Sequence, residues 1–222
     1  MDSLTLTERN RIRRVPARGS YDRAAVYAIL DEGLVAAVGF ALEGQPYVVP
    51  MVYGRRDDQL YLHGAVASRA LKQSGVPLCV TVTLLDGVVL ARSAFHHSMN
   101  YRSAVVLGVA REVTDPGERD LALASVVDHI LPGRAQQCRP PSEKELRATR
   151  VLALPIDEAS AKARGGGPLD DDEDLALPHW AGHLPLALVA GAPVPDERAA
   201  PRGVMPPGVD PYRRVAFPPL VR

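Results

Sequence analysis

Cysteine is scarce: Cys79 and Cys138 are the only two. They are too few and too far apart for a disulfide framework, so both read as reduced thiols of a cytoplasmic protein. Net charge is absent, because 26 Lys and Arg balance 26 Asp and Glu. A general nucleic-acid binder needs surplus cations to displace counterions, so that class is excluded, while a local basic pocket for a small phosphate is not. No apolar run approaches the roughly 20 residues that span a bilayer, and the N-terminus through Arg18 lacks the apolar centre of a secretory signal. Lysine is confined to Lys72, Lys144 and Lys162. There is no G-x-S-x-G elbow, no G-x-G-x-x-G after a strand, and no His, Cys and acid set at zinc spacing. His96-His97 and His179…His183 are the nearest approach to a metal motif, so no metal is expected.

Three zones are visible. Residues 1–19 form a basic arm with Arg9, Arg11, Arg13, Arg14 and Arg18, residues 20–158 alternate apolar strands with short helices, and residues 159–222 are rich in Gly, Pro and acids. Proline lacks an amide donor, so this last zone is expected to wrap the barrel or a partner subunit rather than to form helix or central strand. Gly165-Gly166-Gly167 and the acids from Asp170 to Asp174 read as a solvated linker.

Ser20 is the expected N-cap of a helix over 21–32, stopped by a left-handed Gly33. Strands are expected over 34–42, 47–53, 59–63, 78–85, 88–95, 104–113 and 151–156, with hairpin turns at Glu43-Gly44 and Asp86-Gly87. Asp115-Pro116-Gly117-Glu118 opens a helix, and Ser142 with Glu145 has the capping-box spacing. Tightly linked antiparallel strands with few helices describe a small barrel. Several strands are apolar on both faces, and a second subunit is the simplest cover, so a homodimer is expected.

Two stretches concentrate chemistry. After His63-Gly64, a short helix expected over 67–74 would begin at Ser68-Arg69 with Lys72 one turn on. Free amides, a hydroxyl and two cations suit a phosphate, though the same residues also suit a surface helix with solvated charges. The run from His96 through Asn100, Tyr101, Arg102 and Ser103 is densely polar, as the mouth of a polar ligand site would be, or an exposed loop. Trp180 either pins the tail or stacks on a ligand.

Taken together, Leu30-Asp31-Glu32-Gly33, Tyr61-Leu62-His63-Gly64 with Ser68-Arg69, the run Asp86 to Ser103, Asp157 to Lys162 and Trp180-Ala181-Gly182 resemble the flavin-nucleotide-binding proteins of the pyridoxamine 5′-phosphate oxidase-like split-barrel superfamily, in the nitroimidazole-resistance branch. The resemblance implies a mainly β, six-stranded antiparallel split barrel with peripheral helices, a homodimer, and FMN at the dimer interface. It implies that Ser68 and Arg69, with Lys72 nearby, hold the flavin phosphate, that Val49, Pro50 and Met51 lie against the ring, and that Leu62, His63 and Gly64 line its site. Asn100, Tyr101, Arg102 and Ser103 would contact ring or ribityl chain, Trp180 would come from the partner, and His63 would take part in catalysis. An FMN-dependent oxidoreductase acting on a small organic acceptor, nitroaromatics included, is the expected function. The alternatives are a flavin- or haem-binding module without turnover, with iron on His63, His96 or His97, and a deazaflavin-dependent reductase.

Overall fold

The computed structural model describes residues 2–72, 74–196, 198, 205 and 209. Most of the expected C-terminal wrap beyond Asp196 therefore lies outside the described residues. The elements in chain order are β1 (Gly19–Ser20), α1 (Arg23–Glu32), β2 (Ala36–Leu42), β3 (Gln45–Met51), β4 (Tyr53–Arg56), β5 (Gln59–Ala65), β6 (Pro77–Leu90), β7 (Ser98–Val109), β8 (Arg111–Glu112), α2 (Pro116–Ile130), α3 (Glu143–Ala148), β9 (Thr149–Pro155), β10 (Glu158–Arg164) and β11 (Gly182–Pro185).

The strands form two antiparallel sheets. One runs β1-β10-β7-β6-β2-β3 with β11 added to β6, and the other runs β4-β5-β9-β8. One core joins them: Val38, Val80 and Val106 of the first sheet meet Tyr53, Leu60, Leu62 and Leu154 of the second, with Val26, Ile29 and Leu30 of α1. This is a mainly β split barrel. A smaller cluster of Tyr61, Val113, Ala122, Val151 and Ala153 lies on the outer side of the second sheet, towards α2.

Local chemistry explains most of the elements. Asp22, not Ser20, caps α1 by accepting from the Ala24 amide at 3.4 Å, so the helix begins two residues late. Gly33 has φ −68° and is not left-handed. A side chain there would collide with Val82, so close approach rather than turn geometry requires the glycine. Glu43 and Gly44 take φ of 51° and 79°, the primed turn that suits a two-residue hairpin. Asp115 caps α2, and the Ser142–Glu145 capping box opens α3.

Three expectations fail for physical reasons. Asp86-Gly87 is not a hairpin: β6 runs straight through it for 14 residues, with a bulge where Leu85 faces Tyr101 and Gly87 faces Asn100. The helix expected over 67–74 shrinks to one 3-10 turn at Ala70–Lys72. The Ser68 amide instead closes a turn on the Ala65 carbonyl at 2.8 Å, so Ser68 and Arg69 have no helix N-terminus behind them. The strand over 151–156 is not the last, because β10 pairs with β7 along seven residues and carries the barrel sheet on to Arg164.

The acidic linker is also tied down. Asp170, with a side chain only 2% exposed, accepts from the Arg92 guanidinium at 2.8 Å and from the Arg92 amide at 2.9 Å. Trp180 is 66% exposed and lies over Gly182, so it does not pin the tail into the core. Both cysteines are free. Among the described residues no helix is long and apolar enough to cross a membrane.

Candidate functional site

Strand alternation sorts the candidate residues into different chambers. On β3, Val49 and Met51 pack on the core, whereas Val48 and Pro50 point away from it, Val48 at 69% exposure. Cross-strand register places Pro50, Ala37, Thr81 and Val105 on one outer face, with Val48, Gly39, Cys79 and Leu107 beside them. Further along the same face stand Thr83 with Ser103 and Leu85 with Tyr101, Leu85 at 54% exposure. The result is a broad, open, largely apolar sheet surface edged with hydroxyl groups.

The segment 100–103 divides in two. Tyr101 and Ser103 belong to the open face. Asn100 and Arg102 point to the other side. Asn100 is 5% exposed; it donates to the Gly166 carbonyl at 3.0 Å and accepts from Arg164. Arg102 donates to Glu32 and Asp86, with bonds of 2.9 Å to Glu32 Oε1 and of 2.8 and 2.9 Å to the Asp86 oxygens. These bonds drive its pKa upward. The group of one cation and two carboxylates has a net charge of −1, so Arg102 fastens α1 to the β6 bulge rather than presenting free positive charge.

Ser68 and Arg69 lie near the free edge of β3, where the Arg69 guanidinium sits 5.5 Å from the centre of the Tyr47 ring. Lys72 is exposed on the short 3-10 turn that follows.

His63 faces elsewhere. Leu62 enters the barrel core, and Gly64 packs on Leu71. His63, opposite Val151, looks outward into a cavity of about 400 Å³ walled by Leu123 of α2, Cys138, Arg139, Pro141, Glu145 and Leu146 of α3, and Thr149. Its Nδ1 is buried without a hydrogen-bond partner, and burial pushes the imidazole pKa down. The ring is therefore neutral at pH 7, with a lone pair available to an electrophile or metal. Sequence reasoning missed the rest of this wall. Its residues come from α2, α3, the connection between them and the start of β9, and only Glu145, through the capping box at Ser142, belongs to a motif.

The remaining histidines are placed differently. His96 Nε2 lies 3.1 Å from Asp171, and Asp174 completes a group whose ligand atoms fall within 4.8 Å of one another. Sequence spacing could not reveal it, because the acids arrive from 75 residues away. His97 Nδ1 lies 3.0 Å from the Ser93 carbonyl.

The molecule is thus a split barrel with one open sheet face and, on its second sheet, a cavity lined in part by His63. The model of the pyridoxamine 5′-phosphate oxidase family matches residues 22–163, and the chain belongs to that family. Two solved structures resemble it over nearly its whole length. The flavocytochrome Anf3 from Azotobacter vinelandii is 40% identical, with a TM-score of 0.87, covering 93% of this chain and 97% of that one. An FAD and haem binding protein from Mycobacterium smegmatis is 38% identical, with a TM-score of 0.81, covering 87% and 96%. A candidate 5-nitroimidazole antibiotic resistance protein from Bacteroides thetaiotaomicron is 26% identical, with a TM-score of 0.54, covering 65% and 85%. Among curated proteins none matches the chain.

Proposed function

We propose that this protein is a flavin-dependent redox protein that also holds haem, with the flavin on the open sheet face and the haem in the His63 cavity. The observation that carries this reading is the half-buried, neutral His63, its Nδ1 buried without a partner, in the wall of a cavity of about 400 Å³. Two relatives with extensive similarity, one a flavocytochrome and the other an FAD and haem binding protein, support it.

The residues suit both groups. His63 would offer a nitrogen ligand, Leu123, Pro141 and Leu146 line the wall with apolar surface, and Arg139 stands there paired with Glu145. On the sheet face, Val48, Pro50 and Ala37 give a flat apolar bed, and Thr83, Tyr101 and Ser103 supply hydrogen-bonding groups along its edge. Ser68, Arg69 and Lys72 remain the phosphate contacts implied by family resemblance, now carried by a loop rather than by a helix end. Flavin supplies two-electron chemistry and haem supplies one-electron chemistry. The protein would position both and keep the imidazole unprotonated.

The open face also supports a homodimer, because Val48 and Leu85 leave a contiguous apolar surface for a second copy to cover. The relative from Bacteroides favours a second reading of the acceptor, a nitroaromatic reduced at the flavin.

The test is the absorption spectrum of the protein titrated with haemin and with FMN or FAD. Wild type is expected to show a Soret band and flavin bands together. His63→Ala should lose the Soret band and keep the flavin bands. An unaltered Soret band in that variant would remove His63 from the iron, and saturable binding of neither group would overturn the reading.

A further inference from the structure

The arginines of the basic arm fall into two groups. Arg9 pairs with Glu158, and Arg11 and Arg13 pair with Glu8. Arg14, Arg18, Lys162 and Arg164 pair with no carboxylate among the described residues. In a chain whose charges balance overall, this is a local surplus.

Arg18, Lys162 and Arg164 lie together at the β1–β10 edge, and Arg14 reaches it with its backbone. Gly19 pairs with Lys162, which sets Arg18 beside the strand end. Lys162 Nζ donates to the Arg14 carbonyl at 2.9 Å and holds the arm there. Between them Val15 takes φ 51°, a left-handed conformation that a β-branched residue strongly disfavours and that surrounding contacts must enforce. Arg164 is 7% exposed. Its guanidinium donates to the Gly167 carbonyl at 2.9 Å, the Gly166 carbonyl at 3.4 Å and Asn100 Oδ1, all neutral acceptors. Burial, and then the neighbouring charge of Arg18, both disfavour its cationic form.

A buried cation with only neutral partners and a like charge beside it is an arrangement that an anion relieves. Three donors of positive charge in one place match a group with about two negative charges and several acceptor oxygens, which describes a phosphate better than a lone carboxylate. We propose that Arg18, Lys162 and Arg164 form a phosphate-binding site for a nucleotide.

The site borders the open sheet face, because Lys162 is opposite Ser103 and Arg164 opposite Tyr101. The phosphate therefore belongs either to the flavin nucleotide bound on that face, in place of the contact at Ser68, Arg69 and Lys72 beside the opposite, β3 edge, or to a free nucleotide bound alongside it. Only the first source rests on the flavin reading given above.

The full chain would be titrated with riboflavin, FMN, FAD and ADP. Three forms are compared: wild type, the double variant Arg18→Ala with Lys162→Ala, and the charge-keeping pair Arg18→Lys with Lys162→Arg. Arg164 is left intact because its burial ties it to the fold. A loss of about 10- to 100-fold in FMN or FAD affinity in the alanine variant, with riboflavin unchanged and the charge-keeping pair near wild type, assigns the site to the flavin phosphate. The same loss for ADP, with all flavins unchanged, assigns it to a free nucleotide. Equal affinities in all three forms, or a parallel loss of riboflavin, overturns the proposal. Should wild type bind ADP through these residues and no flavin at all, the phosphate site stands and the flavin reading falls.

Discussion

Leu62 and His63 are neighbours on β5, yet they occupy separate chambers: Leu62 is sealed in the barrel core, and His63 lines the cavity beside α2 and α3. The strand between them is thus a wall common to both, and a change on one side reaches the other through the backbone alone.

His63 makes stability dependent on acid. Its folded pKa lies below the ordinary 6.5. Between those two values the unfolded chain binds a proton that the folded chain refuses, so stability falls as pH drops below about 6.5. His63→Gln should flatten that segment. Urea midpoints at pH 7.5 and 5.5 check it, and an equal fall in both proteins would contradict it.

Gly54 holds α2 against the second sheet. An added Cβ would stand 2.7 Å from the Ser125 carbonyl carbon and from the Val126 amide nitrogen. Gly54→Ala should cost about 1–3 kcal/mol by overpacking. Because α2 supplies Leu123 to the cavity, haemin affinity should drop while flavin affinity holds. Denaturation and paired titrations read both effects.

Arg102 ties α1 to the bulge of β6. Glu32 and Asp86 would be left facing each other without it. Arg102→Ala should destabilise by about 2–4 kcal/mol, below the full cost of a buried pair because the group is partly solvated. Arg102→Lys should recover part of this, since an ammonium cannot span two carboxylates as a fork does. Thermal unfolding of the three proteins is the measurement.

Val48→Asp and Leu85→Asp place charges on the open face. If a second copy covers that face, light scattering should show the assembly falling to single chains and flavin affinity falling with it. A mass unchanged from wild type would locate the interface elsewhere.

The parts of the fold legible in sequence are those set by local rules. The Glu43-Gly44 turn, the Asp115 cap and the Ser142–Glu145 box each stand where expected, because a few backbone hydrogen bonds decide them. β10 was invisible: Glu-Ala-Ser-Ala-Lys-Ala-Arg has little strand preference, and its pairing with the apolar β7 makes it a strand. The candidate site was legible as residue types but not as directions. Tyr101 and Arg102 read as one polar run, yet a strand sends them to opposite sides. Cys138 and Leu123 carried no signal at all, since only the tertiary fold brings them to His63.

Glu145 adds a dependence of another kind. Arg139 and the Ser142 cap hold its carboxyl down at about 2, against an ordinary 4.5. The stabilisation this gives is complete above about pH 4.5 and is lost as pH falls towards 2. Protection of the α3 amides, taken relative to intrinsic exchange at each pH, should fall over that interval in wild type and be low throughout in Glu145→Gln.

The bulge at Asp86 changes the phase of its strand. Before it the buried positions of β6 are even-numbered, Leu78, Val80 and Val82; after it they are odd, with Val89 followed by Ala91 just past the strand end. One extra residue moves the inward positions from even to odd numbers while each stays opposite an inward position of β7. Deleting Asp86 would therefore remove the bulge and one partner of Arg102 together, yet leave the faces as they are: Gly87 would still stand opposite Asn100, and Val89 and Ala91 would stay inward in plain alternation with Leu78, Val80 and Val82.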